Sequence, residues 1–278
     1  MNKEEMQLDS MPNILKKIKD RYTDQELKAI AEGGRIVPGY GPVPVIDFEG
    51  DRIRFGVMSD THIGSAFFKP EIFESAIREF KKEKCEFIVH SGDVFEGMSN
   101  RPDQIYHLSH IGYSAQLNYG RELFSLWPGK IYFIDGNHDR WFIKNTGAII
   151  VAELIKELPD AEFLGHDNGD ISLKGKAVLK LWHGEDGNSY AVSYRISKVI
   201  ESFTGGQKPS MLILGHVHKQ AYVFERHVHA ISAGCIETQS DWMRSKRIPV
   251  HVGFWIIDVW VNDQGISKVR CTWYPFYC

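Results

Sequence analysis

From residue 45 onward the chain alternates between two spacings of apolar residues. "RIRFGVMSD" (52–60) is an apolar run that ends in polar residues, as a strand buried on both faces would. In "EIFESAIREFKKEK" (71–84) the apolar positions are Ile72, Phe73, Ala76, Ile77 and Phe80, which share one face of a helix. "EFIVHSGD" (86–93) reads as the next strand, residues 103–127 as mostly helical, "KIYFI" (130–134) as a strand and "TGAIIVAELIKEL" (146–158) as a helix. Such alternation predicts an α/β fold whose first sheet is largely parallel. After residue 160 strands dominate, among them "AVLKLWHG", "SMLILGH", "HVHAIS" and "HVGFWIIDVWV", with one helix near 190–203. They predict a second sheet packed on the first.

The start of the chain differs. Residues 11–34 read as two short helices, with Ile14, Leu15 and Ile18 as an apolar stripe and "TDQE" (23–26) as a capping box. A DNA-binding helix-turn-helix fits this pattern, but an extension packed on the main domain is the commoner outcome. "VPGYGPVPV" (37–45) then reads as a linker. The expected division is an N-terminal helical extension with its linker, residues 1–44, and one domain, residues 45–278.

Composition narrows the class. The chain has 278 residues, 43% of them hydrophobic and 25% charged, enough for a sizeable core. A formal net charge of −3 gives no global basic field for nucleic acid, though a local basic groove stays open. The sequence lacks an apolar run long enough to span a bilayer and a secretory start, and its four cysteines form no CxxC pair. The expectation is a cytoplasmic protein with reduced thiols and no membrane partner.

The twelve histidines are the departure from an ordinary composition. "MSDTH" carries Asp60 and His62, "HSGD" Asp93, "DGNHD" Asn137 and His138, "LWHGE" His183, and "LGHVH" His216 and His218. Each group follows an apolar strand. Singly, each is weak, since a His at a strand end is more often a hydrogen-bonded structural residue. Together they assemble carboxylates, an amide and imidazoles without a thiolate, a donor set suited to Mn²⁺, Fe or Zn²⁺. In extended backbone, residues two apart point to one side, so Asp60 with His62, and His216 with His218, can each face one centre. Seven ligands exceed one ion and suit two, with Asp93 the natural bridge.

This order of motifs resembles the calcineurin-like metallophosphoesterase superfamily, whose pattern D-x-H, GD, GNH-acid, H and GH-x-H appears here as "DTH", "GD", "GNHD", "HG" and "GHVH" across residues 60–218. The resemblance implies a four-layer αββα sandwich. It implies one ion on Asp60, His62, Asp93 and His218, and another on Asp93, Asn137, His183 and His216, with Mn²⁺ the first choice and Fe or Zn²⁺ the alternatives. His138 would contact the substrate and aid the leaving group. Asp139 would either orient His138 or cap the following helix. Two ions about 3.5–4 Å apart polarise a phosphate and make a nucleophile available at neutral pH.

The substrate is less legible. "GNHD", and Asp93 followed by "VFEG" rather than an arginine-bearing motif, exclude the protein-phosphatase pattern. The motif set looks nearer to the DNA-repair nucleases of the SbcD type, with their usual capping domain missing or reduced. Arg140, Arg244, Lys246 and Arg247 are candidates for contacting a phosphate backbone, and Trp141 and Trp242 for stacking on bases. The expectation is a two-metal phosphodiesterase acting on DNA. Its alternatives are a hydrolase of nucleotides or other small phosphoesters and an inactive metal-binding interaction module. The oligomeric state stays open, a dimer included.

Overall fold

The computed structural model describes residues 36–37, 41–99, 101, 103–185, 191–204 and 208–277. The expected N-terminal helices lie outside them. The elements, in order, are β1 (Ile36–Val37), β2 (Gly41–Pro42), β3 (Val45–Ile46), β4 (Arg52–Met58), α1 (Pro70–Lys82), β5 (Phe87–Ser91), a 3₁₀ turn (Gln104–His107) and α2 (Tyr113–Phe124). They continue with β6 (Lys130–Asp135), α3 (Trp141–Thr146), α4 (Ile150–Lys156), β7 (Ala161–His166), β8 (Asn168–Leu173), β9 (Ala177–Trp182) and α5 (Val192–Ser202). The last are β10 (Met211–Leu214), β11 (Gln220–Glu225), β12 (Val228–Ala233), α6 (Asp241–Ser245), β13 (Gly253–Asn262) and β14 (Gly265–Pro275).

Among the described residues two six-stranded sheets form, ordered β14-β13-β4-β5-β6-β7 and β11-β12-β10-β9-β8-β3. Strands β4 to β7 run parallel, as the alternating pattern requires. Strand β10 shows why its sequence is apolar throughout: Met211 and Ile213 enter the core between the sheets, and Leu212 and Leu214 pack under α5 against Ile196 and Ile200. Ile53, Phe55 and Val57 of β4 meet Ile171, Leu179 and Leu181 in the inter-sheet core, while Met58 and Ile88 face Ile72, Phe73 and Phe80 of α1. The layers are therefore helix, sheet, sheet, helix. The buried face of α1 is the one read from its spacing. Pro70 opens it, where a missing N–H costs nothing.

Three expectations need correction. Strands β7, β13 and β14 come after residue 160 yet belong to the first sheet. The side of β4 away from β5 is open until β13 pairs with it antiparallel, from Trp255 opposite Val57 to Trp260 opposite Arg52. The helix expected over 146–158 is shorter, because Gly147 takes a left-handed conformation (φ 74°) that ends α3 before α4 begins. The Pro/Gly stretch is not a free linker throughout: Val43 is buried, and the Pro44 carbonyl accepts from the Ser172 N–H at 2.8 Å. We propose that extension and domain meet just before Val43, close to the expected division at residue 44.

Candidate metal centre

The carboxyl ends of β4, β5 and β6 in the first sheet and of β9 and β10 in the second open onto one cleft. Beyond their ends β4 and β5 continue as a loose ladder, with Asp60 N–H on the Gly92 carbonyl (3.0 Å), His62 N–H on Asp93 (3.1 Å) and Ile63 N–H on Val94 (2.9 Å). This sets Asp60 and His62 beside Asp93. From the second sheet the His216 N–H donates to both Asp60 carboxylate oxygens, at 2.9 and 3.0 Å.

Among the described residues two clusters lie on either side of Asp93, and a third group of converging donors, His62, Glu96 and His138, adjoins the first. In the first, Asp60, His62 and His218 bring their ligand atoms within 4.8 Å of one another. His62 Nε2 lies 3.1 Å from His218 Nε2, which lies 3.3 Å from Asp60 Oδ1. In the second, Asp93, His183 and His216 converge in the same way. Asn137 Oδ1 lies 3.0 Å from His216 Nδ1 and 3.3 Å from His183 Nε2. Asp93 Oδ2 reaches both clusters, 3.2 Å from His183 Nε2 and 3.7 Å from His62 Nε2. The His and Asp clusters are able to bind divalent metal ions.

The backbone is left-handed at five of these residues. Asp60, His62, Asp93, His216 and His218 have φ of 49°, 48°, 50°, 79° and 53°, in the left-handed region that side chains avoid. Gly136 of "GNH" is fixed by close approach: a Cβ there would sit 2.2 Å from Asp93 Oδ1 and 2.6 Å from His183 Nε2. Gly136→Ala is therefore expected to displace Asp93 or His183 and to remove at least one ion. The check is metal content per chain, and full occupancy in the variant would contradict the packing.

Charge follows from the crowding. Burial pushes the Asp60 carboxyl up, but His218 and His183 beside it lower it to about 2. Burial lowers His183 and His138, yet nearby carboxylates win: Asp93 raises His183 to about 9, and Asp93 with Glu96 raises His138 to about 10. His216 is lowered to about 4, by burial first and then by His183.

His138 lines the cleft beside His62, the ring centroids 4.5 Å apart, and stacks on Trp141 at 4.0 Å. Its Nδ1 donates to the Glu96 carbonyl at 2.9 Å and lies 3.4 Å from Glu96 Oε2. Glu96 also holds His62, Nδ1 to Oε2 at 2.9 Å. The sequence reading missed Glu96, and it missed Glu237, a buried carboxylate lining the same cleft. The cleft measures about 430 Å³, with Phe67, Trp141, Trp242, Met243 and Ile248 among its apolar walls.

Several expected residues sit elsewhere. Asp139 neither orients His138 nor caps α3: its carboxylate accepts from the N–H groups of Val94 (3.1 Å), Phe95 (2.8 Å) and Gly136 (2.9 Å), tying the β5 and β6 loops together. Arg140 is half-enclosed by Asp135 (3.1 Å), Asp167 (2.6 Å) and Glu185, so its charge is neutralised inside the fold and is a poor phosphate contact. Arg244, Lys246 and Arg247 are exposed on and just after α6, which meets the cleft through Ser240, Trp242 and Met243 instead. Arg244 pairs with Asp241 at 3.0 Å. His107 also lines the cleft.

A sequence model of the calcineurin-like phosphoesterase superfamily domain matches residues 53–249. The chain belongs to the calcineurin-like phosphoesterase superfamily. The matched segment contains every candidate ligand, and the two-sheet sandwich is the fold this superfamily requires. The DNA polymerase II small subunit of Methanothermobacter thermautotrophicus is 24% identical, the alignment covering 76% of this chain and 52% of the subunit. That of Thermoplasma acidophilum is also 24% identical, covering 73% and 49%. This superfamily member thus spans about half the length of the curated relatives it matches. Among solved structures, an archaeal phosphodiesterase superposes with a TM-score of 0.48 at 17% identity, covering 80% of this chain and all of that one (100%). The phosphoesterase YfcE from E. coli gives 0.45 at 17%, covering 78% and 98%. No helix among the described residues is long and apolar enough to cross a membrane.

Proposed function

We propose that the chain is a two-metal phosphodiesterase that hydrolyses DNA. One observation carries the chemistry: Asp93 stands between two His-bearing clusters, and His138 lines the cleft beside them with its Nδ1 turned to Glu96. Asp60, His62, Asp93 and His218 would hold one ion, and Asp93, Asn137, His183 and His216 the other. Divalent ions there would polarise the phosphate and supply the nucleophile at neutral pH. Mn²⁺ is the proposed metal, since the donors mix oxygen and imidazole without sulfur.

The protein's own groups do the rest. Asn137 adds a neutral oxygen, so the second cluster is not over-charged. The backbone N–H of His138 donates to Asp93 Oδ1 at 2.9 Å. With Nδ1 committed to Glu96, Nε2 is the His138 nitrogen that can protonate the leaving oxygen. Asp93 and Glu96 keep that imidazole protonated at neutral pH. The value would fall beside bound cations, toward the range where a general acid works best.

Two observations support DNA as the substrate. The similar curated proteins are named as DNA polymerase subunits. The cleft over the clusters has indole walls, Trp141 and Trp242, and bases stack on such surfaces. The test compares labelled single- and double-stranded DNA with mono- and diester model compounds, with Mn²⁺ present. Diesters should be cut faster than monoesters, and DNA should be cut. Cleavage of a nucleotide or cyclic diester but not DNA would move the substrate to small phosphoesters. Metal binding without hydrolysis would leave an interaction module.

Trp242→Ala should weaken DNA binding by about 1–3 kcal/mol while a small diester is hydrolysed as before. Replacing Arg244, Lys246 and Arg247 together with Ala should flatten the salt dependence of DNA cleavage by a smaller amount, because none of them lines the cleft. Equal losses on DNA and the small diester would place Trp242 in the fold rather than against a base.

A further inference from the structure

The imidazoles of the two clusters are backed unequally. In the Asp93 cluster, His183 turns its Nδ1 to the Ser91 carbonyl at 2.8 Å, and His216 presents Nδ1 itself to Asn137 at 3.0 Å. In the Asp60 cluster both imidazoles have a carboxylate behind them. Glu96 Oε2 lies 2.9 Å from His62 Nδ1. Glu237 Oε1 lies 4.0 Å from His218 Nδ1. That nitrogen and Glu237 Oε2 are both buried without a hydrogen-bond partner, and Glu237 is only 3% exposed. The Cys235 thiol donates to the Glu237 carbonyl at 3.2 Å and also lies within reach of the His218 side chain.

Both carboxylates are fixed to the loop that carries the ligands. Glu96 N–H bonds the Ile63 carbonyl (3.0 Å), and Gln104 Nε2 donates to Glu96 Oε1 (3.2 Å). Beside Glu237, the Ile236 N–H bonds the Asp60 carbonyl (3.2 Å), and Glu237 itself bridges to Phe68. Rotation of the His218 ring or the Glu237 carboxyl that brings an oxygen onto Nδ1 would give this buried nitrogen the partner it lacks. Buried polar atoms left unpaired are costly enough to drive such a rotation.

We infer that Glu96 and Glu237 are positioning residues, each accepting the Nδ1–H of one imidazole of the Asp60 cluster, and that they make this cluster the tighter of two metal sites. The inference rests on the two-metal reading above. A carboxylate behind an imidazole fixes the tautomer that leaves Nε2 free to ligate, holds the ring in place and raises its basicity. A backbone carbonyl, as behind His183, does the first two without adding charge. The Asp60 cluster also gathers Asp60, Glu96 and Glu237 beside the shared Asp93, whereas the other cluster has only Asp93 and a neutral amide.

The test is an equilibrium titration of the metal-free full chain with Mn²⁺, free ion being followed by electron paramagnetic resonance. The wild type should bind two ions in two classes of different affinity. Glu96→Gln and Glu237→Gln should each weaken the tight class about 10–100-fold, the usual cost of losing such a partner, and leave the weak class unchanged. Retention of the weak class also reports that the variant is folded. In a His216→Ala background, where the Asp60 cluster alone remains intact, the same loss should be read on a single ion. Two classes with both variants unchanged, or weakened equally in both classes, would overturn the inference alone. Complete loss of one ion in Glu237→Gln would make Glu237 a ligand rather than a positioning residue. A wild type that binds one ion would remove the two-metal reading and this inference with it.

Discussion

Asp93→Asn is expected to strip both ions from the protein and reduce hydrolysis to background. Asp93 is 2% exposed, and its Oδ2 is the one carboxylate oxygen near His62 in one cluster and His183 in the other. Burial pushes this carboxyl up, yet His183 and His138 hold it well below the ordinary carboxylate range, so it enters the site as an anion. Asn keeps the shape but removes the charge, and it turns an N–H₂ toward imidazole nitrogens that should ligate. The loss should spread to His138, whose raised pKa depends on Asp93 as its largest favourable charge. Metal content per chain, measured by inductively coupled plasma mass spectrometry, decides the matter. Two ions retained at wild-type occupancy would take the bridging role from Asp93.

His138→Ala should behave in the opposite way, keeping both ions while turnover falls about 10²–10⁴-fold, the usual contribution of a general acid. The pH dependence adds a second readout. The folded-state pKa of His138 lies above the ordinary value, at about 10 before any cation binds. The acid form is thus present below that pKa and lost as pH rises through it. The wild-type rate should fall on the alkaline side, and the variant should lack that limb. A variant that loses metal along with activity would show that His138 is a ligand.

The legible part of the site lay at strand ends. Asp60, Asp93, Asn137, His183 and His216 each follow an apolar run, so motif order and strand order coincide and one edge of the sandwich collects them. Glu96 and Glu237 escaped notice because their roles depend on contacts between loops far apart in sequence, such as the ladder from Ile63 to Phe95 and the strap from Ile236 to Asp60. Nothing in "VFEG" or "CIETQS" marks a carboxylate that will face an imidazole. Arg140 misled for the related reason that a basic residue beside a motif loop looks available until its three acidic neighbours are in place. The two stacked sheets followed from alternating spacings and the four layers from the family resemblance, whereas the return of β13 to β4 followed from neither. Pairing to an open edge is a property of the assembled sheet and leaves no local mark on a strand.

The left-handed backbone at Asp60, His62, Asp93, His216 and His218 sets function against durability. Each such conformation costs on the order of 1–3 kcal/mol when the residue carries a side chain. The metal-free protein must absorb that burden from its cores, and bound ions relieve it by mass action. His216→Gly, which suits a φ of 79°, should therefore melt higher than the metal-free wild type while losing an ion site. The gain is confined to His216, because Asp60 and Asp93 also accept the backbone N–H groups of His216 and His138, and losing those buried bonds costs stability. A chain that kept this fold only as a scaffold would find a stabilising step at His216.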